Sequence, residues 1–125
     1  MPRRKKTNRY KSKWEQKIAD ELTALKIPLQ YEVDRLKYII PASEHTYTPD
    51  FKLSQYKYIE AKGIFDKKDR EKILLIKEQY PKIKIYLAFL NSRQKIYKRS
   101  KTTYAEWCDK NGIEWSHGGI KKSWL

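Results

Sequence analysis

Asp50, Glu60 and Lys62 stand within TYTPDFKLSQYKYIEAKG, Thr46 to Gly63, a run rich in β-forming residues. Carboxylates are hard oxygen ligands of the kind Mg2+ accepts while it keeps several waters. Two of them side by side can hold divalent ions that activate a water and stabilise charge on the leaving oxygen of a phosphodiester. A lysine on the same face can orient that water or stabilise the transition state, and low dielectric with nearby metal charge favours its neutral form. The pattern Pro-Asp followed by Glu-x-Lys therefore has a mechanistic reading. Asp50 and Glu60 hold metal from adjacent strands, and Lys62 stands beside the attacking water. The competing reading is two strands with charged, solvated outer faces.

These residues need a hairpin to meet. PDFKL and YKYIEAK form one around Ser54-Gln55, with Phe51 and Leu53 on one face and Asp50 and Lys52 on the other. Tyr58, Glu60 and Lys62 share a face opposite Ile59 and Ala61. When both apolar faces go to the core, Asp50, Glu60 and Lys62 fall on a common face.

The flanking elements follow from pattern. SKWEQKIADELTALKI is a helix capped by Ser12, with Trp14, Ile18, Leu22 and Leu25 at helical spacing and Pro28 barring its continuation. Glu15 sits in the capping-box position to Ser12. PLQYEVDRLKYII alternates as a long strand or two with a break near Arg35, and PASEHTYT reads as a turn. DKKDREKILLIKEQYP is a second helix begun by Asp66 and Asp69. KIKIYLAFL is a strand buried within the sheet. NSRQKIYKRSK is a basic loop or short strand. TTYAEWCDKNG is a third helix, boxed by Thr103 and Glu106 and stopped at Asn111-Gly112. A last short strand and tail follow. The sum is an α/β chain with a mixed sheet flanked by helices.

The 125 residues suit one domain, with residues 1–13 as a basic arm and 14–125 as a single nuclease domain. With 29 Lys and Arg against 15 Asp and Glu, the net charge of +14 points to a polyanionic partner, nucleic acid before an anionic membrane. No apolar run approaches a bilayer span, and no apolar segment follows the basic N-terminus as in a secretory signal. The lone Cys108 fits a reducing, cytoplasmic setting. Phosphate contacts fall to Arg3, Arg4, Lys5, Lys6 and Arg9 in the arm, to Lys67, Lys68 and Arg70 opening the second helix, and to Arg93, Lys95, Lys98 and Arg99 in the basic loop. His45 reads as a locally bonded turn residue, His117 as surface, and Trp14, Trp107 and Trp115 as core.

The segments YIIPASEHTYTPDF, EAKGIFDKKDREKILLIKEQYP and SRQKIYKRSKTTYAEWCDKNGI closely resemble the endonuclease I family of T-odd podophages. Those are Holliday-junction-resolving enzymes of the PD-(D/E)xK nuclease superfamily, and the likeness runs from about Trp14 to Trp124. The resemblance implies a restriction-endonuclease-like core in an intertwined, element-exchanged homodimer. It implies composite sites in which a helix-borne glutamate, here Glu15, comes from one subunit and Asp50, Glu60 and Lys62 come from the other. Glu15 thereby becomes a metal ligand with Asp50 and Glu60. The stretch Tyr31 to Ile40 resembles the bridge of exchange. The implied activity is structure-selective cleavage of four-way and other branched DNA with Mg2+ or Mn2+, two ions per site. Paired nicks in opposed strands would leave 5′-phosphate and 3′-hydroxyl ends, and the setting is the host cytoplasm for a phage-encoded protein. Gln30 stands where the family pattern has a carboxylate. Two alternatives remain on the residues alone: another nuclease of the superfamily, of restriction or transposon-end type, or a non-catalytic basic nucleic-acid-binding protein.

Overall fold

The computed structural model describes residues 10–40 and 43–125. In chain order these form α1 (Lys13–Ala24), β1 (Leu36–Ile40), β2 (Ser43–Tyr47), β3 (Phe51–Ser54), β4 (Lys57–Lys62), α2 (Lys67–Gln79), β5 (Lys84–Phe89), α3 (Tyr104–Lys110), β6 (Trp115–His117) and a closing 3-10 turn over Lys122–Trp124. The main sheet runs β3-β4-β5-β6. β3 and β4 are the antiparallel hairpin expected around Ser54-Gln55, and β4-β5 and β5-β6 are parallel. The mixed sheet flanked by helices is therefore as the sequence led us to expect.

Alternation on the central strand makes a core on each face. Leu87 and Phe89 of β5 join Phe65, Ile73, Ile76, Tyr104 and Cys108 under α2 and α3. Tyr86 and Ala88 join Trp14, Ile18, Ala19, Leu22, Phe51 and Ile59 under α1. A strand buried on both faces carries a near-continuous apolar run, and residues 86–89 are all buried. The caps hold too. Asp66 with Asp69 and Thr103 with Glu106 form complete capping boxes, and Gly112 ends α3 at φ +66°, where a Cβ would be strained.

Three expectations change. Residues 28–35 are not strand. Glu32 sits at φ +49°, in the left-handed region, and only Tyr31 makes a ladder bridge, to Phe51. The alternation of apolar and polar residues there was produced by an irregular segment crossing the end of β3. The PASEHTYT stretch is not simply a turn, because Ser43–Tyr47 pairs antiparallel with Leu36–Ile40 in a separate two-stranded ribbon. Its partner strand is held to α2 by a two-way bond between the Gln79 side chain and the Ile39 backbone. Of the tryptophans, Trp14 is buried as expected, whereas Trp107 and Trp115 are only partly covered. Trp124, in the segment read as tail, is buried and stacks flat on Tyr86 with centroids 4.7 Å apart. No helix among the described residues is long and apolar enough to cross a membrane.

α1 is fastened to the sheet by an apolar stripe and one directional bond, from Trp14 Nε1 to Ala88 O at 2.9 Å. Removing a large buried aromatic costs about 3–5 kcal/mol. Trp14→Ala is therefore expected to lower the unfolding free energy by about that amount in urea titration. Trp14→Phe, which keeps most of the ring contact, is expected to lose roughly 1–2 kcal/mol.

Candidate active site

The β3-β4 pairing brings the two strand carboxylates together. Phe51 pairs with Ile59, which sets Asp50 against the Glu60–Ala61 stretch. The Asp50 N–H donates to Glu60 Oε1 at 3.2 Å, and the Ala61 N–H donates to Asp50 Oδ2 at 3.0 Å. The Glu60 carboxylate thus holds the Asp50 N–H, and the Asp50 carboxylate holds the N–H that follows Glu60. The Tyr47 hydroxyl donates to Glu60 Oε1 at 2.7 Å, which ties the β1-β2 ribbon to the site. Neither acid lies on a solvated outer face: Asp50 is 6% and Glu60 7% exposed.

Lys62 completes this face. Its ammonium lies 3.5 Å from Glu60 Oε2 and 3.2 Å from Asp69 Oδ1 in the first turn of α2. Burial pulls its pKa down, but the Glu60 and Asp69 carboxylates outweigh burial and hold it above the ordinary lysine value. The two carboxylates thus favour the ammonium form of Lys62.

Glu15 arrives from α1. Ser12 Oγ accepts from the Glu15 N–H at 3.0 Å, which is half of the expected capping box. The Glu15 carboxylate turns instead to the Lys11 N–H at 2.9 Å and the Tyr31 hydroxyl at 2.6 Å. It lies beside Asp50 within one chain, where the resemblance implies a partner's helix.

A fourth carboxylate was missed. One oxygen each of Glu15, Glu32 and Asp50 lie within 4.8 Å of one another. Read as a strand, Glu32 belonged to an outer polar face. The left-handed backbone and the bond from the Glu32 N–H to Asp50 O at 2.8 Å turn it to the site. Lys11 Nζ pairs with Glu32 at 3.1 Å. The one sequence signal was compositional: Gln30 lacks the carboxylate of the family pattern, and an acid stands two residues on. Gln30 itself is committed through its carbonyl, which accepts from the Lys52 N–H at 3.0 Å.

Clustering like charges out of water is costly and favours the protonated carboxyl. Burial first, then Glu60 and Glu15, push the Asp50 carboxyl up to about 9. Burial also raises Glu60, against the opposing pull of Lys62 and Tyr47. The donor set consists of carboxylate oxygens around a charge deficit, which suits a hard divalent cation.

The basic residues divide. Lys67, Lys68, Arg93, Lys95, Lys98 and Arg99 are exposed. Arg70 is not an open phosphate contact: its Nη1 donates to Phe65 O at 2.8 Å and Ile96 O at 3.1 Å, clamping the α2 approach to the basic loop. Arg3, Arg4, Lys5, Lys6 and Arg9 lie outside the described residues. His45 bonds locally to Ser43, though from a strand, and His117 Nδ1 bonds to Ser92. Neither is among the site's contacts.

An unfolded chain releases the Asp50 proton near 3.8, and the folded chain keeps it to about 9. The metal-free protein therefore loses stability as pH rises through that window. Asp50→Asn removes the loss. It is expected to raise the melting temperature of metal-free protein by about 4 °C or more at pH 8, on the scale of one kcal/mol, and by less at pH 5. Calorimetry at both pH values checks this.

The chain is similar along its length to known phage proteins. The family model described as phage endonuclease I matches residues 1–125. The chain is 41% identical over 121 residues to Endonuclease I of Escherichia phage T7, spanning 97% of this chain and 81% of that protein. It is 48% identical over 104 residues to Endodeoxyribonuclease 1 of Enterobacteria phage T3, spanning 83% of this chain and 68% of that one. With a match along its whole length and relatives at this identity, the chain belongs to the phage endonuclease I family.

Proposed function

We propose that this protein is a divalent-metal-dependent DNA endonuclease that resolves four-way and other branched junctions, acting as a homodimer with two sites. The observation that carries the reading is the convergence of Glu15, Asp50, Glu60 and Lys62 beside the β3-β4 pair. Relatives named as endonucleases and a net charge of +14 support DNA as the substrate.

Asp50, Glu60 and Glu15, with Glu32 beside them, would hold Mg2+, or Mn2+ in its place, with two ions expected per site. When bound, the metal supplies an activated water and a counter-charge for hydrolysis to 5′-phosphate and 3′-hydroxyl ends. The chain's own residues do the positioning. Tyr47 and the Asp50 N–H hold one oxygen of Glu60, leaving the other facing Lys62. Lys62, kept as an ammonium, offers a fixed positive charge to the scissile phosphate. Lys67 and Lys68 on α2, and Arg93, Lys95, Lys98 and Arg99 on the basic loop, grip phosphates and fix orientation without reading bases. Branched shape rather than sequence then selects the substrate. Exchange of α1 between two chains would build composite sites from the same contacts, and the exposed Val33, Ile39 and Ile40 give the Tyr31–Ile40 stretch apolar surface for a partner.

The test is cleavage of an end-labelled four-way junction and its matched linear duplex, at equal salt, with Mg2+ or with Ca2+. Cutting of the junction in Mg2+ alone is expected, and equal cutting of duplex would overturn structure selectivity. Asp50→Ala is expected to lower the rate by at least about 1000-fold, the loss of several kcal/mol of transition-state stabilisation. It should still bind the junction, as gel shift would report. Mn2+ is expected to raise the melting temperature of the unaltered protein and not that of the variant. Normal cleavage by the variant would remove Asp50 from the site.

A further inference from the structure

Next to the proposed site lies a groove of about 460 Å3 that the cleavage chemistry does not use. One wall is Ile64, Phe65 and Asp66, and the other is residues 94–98, with Tyr104 between. It starts two residues after Lys62, and the two sites share the first turn of α2: Asp69 takes Lys62, and Asp66 caps the same turn. Two features are unusual. Ile64 is 70% and Tyr97 61% exposed, the two most exposed large apolar side chains among the described residues. Both stand among cations, with Lys95 and Lys98 in the wall and Lys67, Lys68 and Arg99 adjoining in sequence.

The walls of the groove are also tied together. Arg70 ties its walls through Phe65 O and Ile96 O. The Phe65 N–H donates to the Tyr104 hydroxyl at 3.1 Å, and the Phe65 and Tyr104 rings meet edge to face. An exposed aromatic and an exposed aliphatic on fixed walls, surrounded by lysines, match one ligand: a nucleobase whose own backbone phosphates meet the lysines. Duplex DNA offers no free base face, whereas a branch point has weakened stacking.

We infer that the Ile64–Tyr97 groove receives an unstacked nucleobase at the DNA branch, with Tyr97 as the stacking platform and Ile64 filling the gap left in the stack. The Asp66 carboxylate in the wall can accept from a base amino group. Branch selection then occurs two residues from Lys62, so a strand is presented for cleavage only where a base can leave the stack. This inference rests on the branched-DNA reading above.

The experiment uses Asp50→Ala protein, so that nothing is cut, and a four-way junction carrying 2-aminopurine at the branch, with the matched duplex. Binding is expected to raise 2-aminopurine fluorescence in the junction. Adding Tyr97→Ala or Ile64→Ala should abolish that rise. Tyr97→Ala should also cut junction affinity on the order of 5- to 100-fold, the worth of one aromatic–base stack, with duplex affinity unchanged. Tyr97→Phe should retain both signals. If the parent protein prefers the junction and both alanine variants bind and fluoresce as it does, the groove inference fails while the branched-DNA reading stands. Equal losses on junction and duplex would also overturn it, making the loop a plain phosphate contact. If the parent protein itself binds both DNAs equally, the branched-DNA reading fails and the groove inference falls with it.

Discussion

The constraint from which the rest of the structure follows is the burial of two carboxylates, Asp50 and Glu60, at the β3-β4 pair. Each buried charge costs on the order of several kcal/mol unless something compensates it. The chain compensates in part, through backbone N–H groups, the Tyr47 hydroxyl and the Lys62 ammonium. The remainder appears as the raised Asp50 carboxyl. A fold selected for stability alone would not keep this arrangement, whereas a site that takes up a cation gains from it, because metal charge offsets what the protein leaves uncompensated.

The architecture around that pair keeps the acids from separating. α1 is seated by Trp14 on the Ala88 carbonyl, which carries Glu15 in. The irregular 28–35 segment is pinned on either side of the Tyr31–Phe51 bridge, by Lys52 to Gln30 and by Glu32 to Asp50, which carries Glu32 in. α2 begins at a complete capping box, and that same turn holds Lys62 through Asp69. The β1-β2 ribbon contributes Tyr47. Four separate parts of the chain thus end at one site, and each is anchored by apolar packing or backbone pairing rather than by the charges themselves. Such anchoring holds the acids in place before any ligand binds.

The groove beside the site extends the same principle to recognition. Arg70, whose position at a helix start suggested phosphate contact, is used to lock two walls together. Of the cations that remain exposed, Lys95 and Lys98 line the groove, and Lys67, Lys68 and Arg99 adjoin it in sequence. In the proposed function, exposed cations, a shaped surface and the carboxylate cluster would lie next to one another along the bound strand.

Much of this was legible in the chain itself. Local rules gave the three helices, because N-caps, helical spacing and the stops at Pro28, Pro81 and Gly112 act within a few residues. Period-two alternation gave the β3-β4 hairpin and the common face of Asp50, Glu60 and Lys62, and the apolar run gave β5 as a central strand. What alternation could not give was the state of residues 28–35. An irregular segment and a strand can carry the same pattern, and only the pairing with β3 decides between them. Glu32 therefore entered the site through a left-handed backbone turn that no residue type announced. The second role of Glu15, the ammonium state of Lys62 between Glu60 and Asp69, and the inward turn of Arg70 were likewise decided by tertiary structure. Each depends on a partner many residues away, and charge placement is a matter of distance in space, which sequence spacing fixes only within a single helix or strand.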